Sequence, residues 1–308
     1  MLLASASFAG LAASVKAFLR LVGSDVGLGP PVFARGLLGL VFCALWAWRR
    51  GGTLRPRNRG ALAARCLIGA AAMLCYYTAI GPFDAELSTA TMLLKSSPLW
   101  VALLSPALLG ERPGRRTWAG VLLGGVGLLL LVQAMRAEAA AVEAGLAGAV
   151  AGSRPALGLV LCLVAGLLSA GAYLSLRGLA HTDGPDTVVF AFSVVLAVGA
   201  LPFLGPLGEA LRGGRDWSAG AWLLLLAAGV AGTVGQVFLT AAYRFGTAAA
   251  VTVGGLSEVG LALLCSLFLF GQRPSPLAVL GGALAMLAGI VASSGRAAGP
   301  RPQSPSGT

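Results

Sequence analysis

Charge is scarce in this sequence. Of 308 residues only 11% are Asp, Glu, Lys or Arg, and only 11 residues are acidic. A soluble domain carries about 25% charged residues. So few charges cannot cover the surface of a water-soluble fold of this length, which excludes an ordinary soluble enzyme or a nucleic-acid binder. A chain that is 57% hydrophobic is not disordered either. Histidine occurs once, at His181. A single imidazole with no partner at ligand spacing builds no zinc site, so no metal is expected. The five cysteines (Cys43, Cys66, Cys75, Cys162 and Cys265) lie in or beside apolar runs. They show neither Cys-x-x-Cys spacing nor a disulfide framework. The glycines are scattered through helical runs, with no phosphate-cradling loop and no ATP-binding motif, so no cofactor is expected. The apolar start at Leu2 has no Ala-x-Ala cleavage site with a polar region after it, so it reads as a first span and not as a removed signal peptide.

Long apolar runs fill the chain instead. A bilayer core needs about 20 apolar residues per helix. Ten runs are candidates, the third and tenth of them short: Leu2–Val22, Val32–Trp48, Cys66–Ile80, Glu86–Leu109, Thr117–Ala134, Ala156–Leu176, Thr187–Leu204, Ala219–Ala242, Ala248–Phe270 and Leu277–Ala292. Lipid offers the backbone no hydrogen bonds, so these are expected to be helices. The short alternating strands of a membrane barrel are missing.

The net charge of +11 is read as a topology signal. With the N-terminus in the cytoplasm, the inside loops and tail hold most of the arginines, with the densest stretch at Arg49–Arg65. Cytoplasmic loops are enriched in Lys and Arg, so both termini are expected inside. The Ala-, Gly-, Arg- and Leu-rich composition points to a bacterial inner membrane.

The chain also repeats. Thr78-Ala79 matches Thr240-Ala241, Thr91 matches Thr252, and Gly110-Glu111-Arg112-Pro113 matches Gly271-Gln272-Arg273-Pro274. Ala9-Gly10-Leu11 matches Ala165-Gly166-Leu167 more weakly. This divides the chain into a first repeat at 1–134, a linker loop at 135–155, a second repeat at 156–293 and a disordered cytoplasmic tail at 294–308. Each half holds five spans. Five is odd, so the second half enters the membrane from the opposite side. Many secondary transporters use such inverted repeats to build two access states around a midplane site.

These motifs resemble the EamA-like ten-helix carriers of the drug/metabolite transporter superfamily. The resemblance rests on a Lys late in the first span (AASVKAFLRL), an Arg opening the second (PPVFARGLLGL), the stretch YYTAIGPFDAELSTATMLLKSSPLWVALLSPALLGERP, and its repeat ending in GQRP. LLKSS in span four and SEV in span nine also look like the solute-carrier branch with plain EamA domains. The likeness covers about Leu2–Ser293. It implies an all-α membrane protein of ten helices in two inverted five-helix repeats, acting as a secondary carrier and often as an exporter of metabolites. Gln272 departs from the Glu that the family often has, which puts a helix-tying role there in doubt.

Charges at bilayer depth cost roughly 2.5–3.5 kcal/mol each on insertion scales. Lys95 and Glu258 each lie about 14–15 Å into spans four and nine, near the midplane. As repeat partners these spans bring the two residues face to face. Two roles follow: a substrate or proton site, or a salt bridge that locks the halves. Ser96, Ser97, Ser257 and Tyr77 are candidate neutral ligands beside them. Lys16 and Arg35 are either site residues or interface anchors. Pro98 is expected to kink span four. Asp84 and Glu86 are expected to cap it.

The expected function is alternating-access transport of a small polar or amphiphilic metabolite, with Glu258 as the site of a possible coupling proton. The expected partners are a small-molecule substrate and the lipid bilayer, without nucleic acid and with the oligomeric state open. Two alternatives stay open: a non-transporting membrane sensor or partner subunit, and a membrane-embedded transferase. The second lacks a clustered nucleophile and base.

Overall fold

A computed structural model describes residues 1–51, 54–80, 93–143, 154–271 and 274–293. Among them the secondary structure is helical. The main helices are α1 (Leu2–Val22), α2 (Gly29–Arg49), α3 (Arg59–Ile80), α4 (Ser97–Leu109), α5 (Arg115–Glu143) and α6 (Arg154–Leu179). They continue with α7 (Pro185–Ala200), α8 (Gly205–Leu211), α9 (Ala219–Phe245), α10 (Ala248–Gly254), α11 (Ser257–Phe270) and α12 (Pro276–Ser293). Eight helical segments among the described residues are long and apolar enough to cross a membrane, with Ala248–Phe270 taken as one of them.

Local chemistry sets the helix ends. Pro30 and Pro31 open α2 and Pro185 opens α7, where a missing N–H costs nothing. The Ser218 hydroxyl accepts from the Ala221 N–H, and the Thr247 hydroxyl from the Ala250 N–H. Gly110 and Gly271, at φ 67° and 61°, end α4 and α11 in the left-handed conformation that favours glycine.

Several boundaries differ from the sequence expectation. Helix α3 starts at Arg59 and not at Cys66, because the Asn58 side chain accepts from the Ala61 N–H and caps a polar first turn. Helix α5 continues to Glu143, well into the stretch expected as a linker. The α-helix of the seventh span ends at Ala200, and a 3-10 turn containing Pro202 continues the span to Phe203 before the short helix α8. The expected single helix Ala248–Phe270 has a turn at Gly255–Leu256, between α10 and α11. Span four shows the same kind of turn at Lys95–Ser96, while most of its first half lies outside the described residues. Glu86 and Asp84 lie there too.

The exterior is apolar. Leu122, Val126 and Leu129 form an exposed stripe along α5, and Leu67 and Leu74 do so on α3. In water such stripes would be a liability; against lipid they are the surface the helices need. The polar residues turn inward instead, with Ser5, Ser97, Ser105, Gln236, Thr240 and Ser257 all buried. The chain is an integral, multi-pass membrane protein. Packing pairs α1 with α9, α3 with α6, α2 with α7 and α5 with α12. Helix α1 also packs on α11, and α6 on α4.

Candidate functional site

The two interrupted spans meet at the centre of the molecule. A helix interruption frees backbone carbonyls, which lipid cannot satisfy. A serine deals with this at each break. The Ser96 hydroxyl donates to the Leu93 carbonyl at 2.6 Å, and the Ser257 hydroxyl to the Gly254 carbonyl at 2.7 Å. The Ser257 hydroxyl also meets the Ser5 hydroxyl of α1 at 2.9 Å. Ser96 additionally accepts from the Trp100 indole N–H at 3.2 Å. Both serines thus repair backbone.

Lys95 and Glu258 flank these breaks and form an ion pair, with Lys95 Nζ 2.9 Å from Glu258 Oε2. Each side chain keeps about a quarter of its surface accessible, 26% and 25%, so the pair faces open space. That space is a cavity of about 40 Å³, lined by Lys95, Ser97, Tyr173, Tyr243, Thr252 and Glu258 among others. A cavity holds one water in roughly 10–15 Å³ of this measure. Metabolite pockets are far larger, so this cavity has room for a few waters and not for a whole metabolite.

Other candidates fall elsewhere. Ser97 is buried and lines the cavity. Lys16 sits 4.8 Å from the Phe270 ring centroid, beside Arg20 at 4.6 Å, near the end of α11 and away from the cavity. Arg35 lies over the Phe8 ring at 5.5 Å and donates to Gln236 Oε1 at 2.9 Å. Phe8 is a cavity wall, so Arg35 stands one side chain behind the cavity. The Tyr77 side chain and Gln272 lie outside the described residues.

Arg65 needs a correction. The sequence reading left it in the solvated Arg49–Arg65 loop. It lies instead within α3, only 4% exposed, with its guanidinium over the Phe192 ring at 4.4 Å. The signal was present: Ala63, Ala64, Cys66, Leu67 and Ile68 flank it with apolar residues on both sides.

One end of the molecule is tied by a polar network. Glu111, in the first repeat's Gly-Glu-Arg-Pro, accepts from Arg177 Nε at 2.7 Å and from the Ala248 N–H at 2.8 Å. The carboxylate thereby sits at the start of α10, where the backbone amides favour negative charge. Arg177 also donates to the Tyr243 carbonyl. Beside it, Asp183 accepts from the backbone N–H groups of Arg57 at 2.6 Å and Asn58 at 3.2 Å, and its own carbonyl accepts from Arg244 at 2.9 Å. Burial raises the Asp183 carboxyl, but the Thr182 hydroxyl and these two amides outweigh it and hold the group below the ordinary aspartate value. Among the described residues no group of three or more His, Cys, Asp or Glu side chains could hold a metal.

Charged side chains at helix breaks around a central cavity, in a shell of lipid-facing leucines, form the architecture of a carrier. The sequence profile of the EamA-like transporter family matches residues 1–133 and 156–294. The chain belongs to that family. This membrane transporter is 28% identical over 292 residues to a pseudopaline exporter of Pseudomonas aeruginosa, covering 94% of this chain and 93% of that protein. It is 27% identical over 234 residues to an uncharacterized transporter of Helicobacter pylori, covering 75% and 72%. A riboflavin transporter of Rhizobium johnstonii is 29% identical over 202 residues, covering 65% and 60%. One crystal structure is similar in fold, with a TM-score of 0.65 at 19% identity, covering 94% of this chain and 98% of that one.

Proposed function

We propose that this transporter is a secondary active exporter, moving a small polar or amphiphilic metabolite by alternating access around the Lys95–Glu258 pair. The observation that carries this reading is the ion pair itself, 2.9 Å long and facing a cavity at two matching helix breaks. The homologous pseudopaline exporter supports the direction.

Alternating access needs two exchangeable halves. The proposed halves are residues 1–134 and 156–293, of opposite orientation and five spans each, with 135–155 between them and 294–308 as a tail. Packing supports this division. Exchanging span one with six, two with seven, three with eight, four with nine and five with ten maps the α1–α9 contact onto α6–α3. It also maps α1–α11 onto α6–α4, and it leaves α2–α7 and α5–α12 unchanged. The arginine-rich segment between α2 and α3 supports cytoplasmic termini, in a bacterial inner membrane. Glu258 takes the coupling proton. Protonation removes its attraction for Lys95 and shifts the balance between the two access states.

The test is export from bacterial cells expressing the wild type, Lys95→Ala or Glu258→Gln, with untargeted mass spectrometry of medium and cell extracts. Solutes enriched in the medium by the wild type, lost with Lys95→Ala and abolished by a protonophore are the expected result. Absence of any enriched solute from a well-folded wild type would overturn the transport reading and favour a sensor or partner subunit.

A further inference from the structure

The buried polar atoms without a partner share one property. Among the described residues they are Arg65 Nε, Gln236 Nε2 and Thr233 Oγ1. The first two can only donate, and the third can donate. The Gln236 assignment is secure, because Arg35 donates to its oxygen and so leaves the amide nitrogen facing away. A buried donor left unmet costs free energy. Three spare donors in the membrane interior therefore ask for an acceptor.

The charges around them ask for an anion. Arg65 makes no ion pair among the described residues, although it is only 4% exposed. Arginines near a helix end normally snorkel back toward the interface. Arg65 does the opposite: a Cβ placed on Gly69 would lie 2.5 Å from its Nη1. The guanidinium thus reaches one turn deeper, to the middle of α3, about 15 Å from that helix's start. The Phe192 ring beneath it belongs to one buried cluster with Tyr173 and Tyr243, whose rings stack 6.2 Å apart and line the cavity. On the other side, Arg35 passes across Gly232 of α9 to meet Gln236. Lys95 and Glu258 line the cavity as a pair, so Arg65 is the buried cation without a carboxylate partner among the described residues.

We propose that the transported solute is an organic anion with an apolar body, whose carboxylate is held by Arg65 beside the Tyr173–Tyr243 stack. This rests on the transport reading above and names the class of substrate for the same site. Lys95, once released from Glu258, offers a second cation to the anion. Phe8 and Tyr173, which line the cavity, offer faces for the apolar part. An uncharged amide of the same shape can accept a hydrogen bond but leaves the Arg65 charge uncompensated, so the site discriminates by charge and not by size.

The experiment uses the full-length protein. The solutes enriched in the medium by wild-type expression are separated by electrophoresis at the assay pH and export is repeated with Arg65→Met and Arg65→Lys. Purified protein is also melted with benzoate and hippurate, and with benzamide and hippuramide, at ionic strength fixed by chloride. Expected are enriched solutes that migrate as anions, and carboxylates that raise the wild-type Tm while the amides do not. Arg65→Met should lower anion export at least tenfold and abolish the carboxylate shift, with Arg65→Lys restoring part of both. A purely structural Arg65 would alter Tm without changing the carboxylate-to-amide preference. Enriched solutes that are neutral or cationic, or a carboxylate shift unchanged in Arg65→Met, would overturn the anion class while transport stands. No enriched solute at all would remove the transport reading instead.

Discussion

Lys95 and Glu258, on different halves of the chain, form an ion pair 2.9 Å long at two helix interruptions that are each repaired by a serine hydroxyl. The pair has a testable energetic signature. Lys95→Met and Glu258→Gln each leave the other charge unpaired in the membrane interior. Losing one partner of a buried pair costs roughly 3–5 kcal/mol, and partial exposure to the cavity brings this below about 3 kcal/mol here. The double variant should recover most of the stability and none of the export. Thermal melts in detergent beside the cell assay check this. A double variant that exports normally would assign the pair to helix locking alone.

Glu111 joins the ends of α4 and α6 to the start of α10. In Glu111→Gln an acceptor for the Ala248 N–H survives, but the charge opposite Arg177 is gone. Expected are a loss of about 1–3 kcal/mol and faster amide hydrogen exchange in the first turn of α10, read by mass spectrometry. Unchanged exchange there would mean that the ion pair does not hold that end closed.

Asp183 sets a pH dependence at the same end of the molecule. Its folded-state carboxyl is held below the ordinary value by the Thr182 hydroxyl and the Arg57 and Asn58 amides, against burial. The contribution to stability is therefore fully present above the usual aspartate value of about 3.9. It declines as pH falls through the lower folded value, because the unfolded chain binds the proton first. Wild-type Tm should drop more steeply below about pH 4 than the Tm of Asp183→Asn, and the two should converge at the acid end. Parallel curves would show that Asp183 is not the group responsible.

Gly166 lets α6 pass close to the Lys95–Ser96 turn. A Cβ at 166 would lie 2.7 Å from Ser96 Oγ and 2.8 Å from the Leu93 carbonyl oxygen. Gly166→Leu should cost about 1–3 kcal/mol by overpacking and reduce export. Gly178→Ala is the control, since nothing lies within 4 Å of its added methyl. Equal Tm values for the two variants would mean that the turn yields freely.

Much of the fold was legible in the sequence, because hydrophobic runs and helical backbone pairing are local in lipid. The runs at Leu2–Val22 and Ala219–Ala242 lie within helices whose starts they mark. Pro98 shows where legibility thinned: it opens α4 directly after the Lys95–Ser96 turn, but the break needs Ser96 as well. Arg65 was misplaced because a loop count treats every arginine near a span end alike. Whether such a side chain snorkels out or reaches inward depends on what the neighbouring turn leaves open, and here that is Gly69.

The sequence alone determined that this chain lives in a membrane, that its polar residues are few and deep, and that Lys95 and Glu258 lie at similar depth. Those properties follow from composition and the rise per residue along a helix. Tertiary structure decided which residues meet. Rotation of each helix about its axis, set by packing, turns Arg65 toward Phe192 and Lys16 toward Phe270. It also brings Glu111 to the start of α10. No local pattern encodes those partners, because each contact joins segments far apart in the chain.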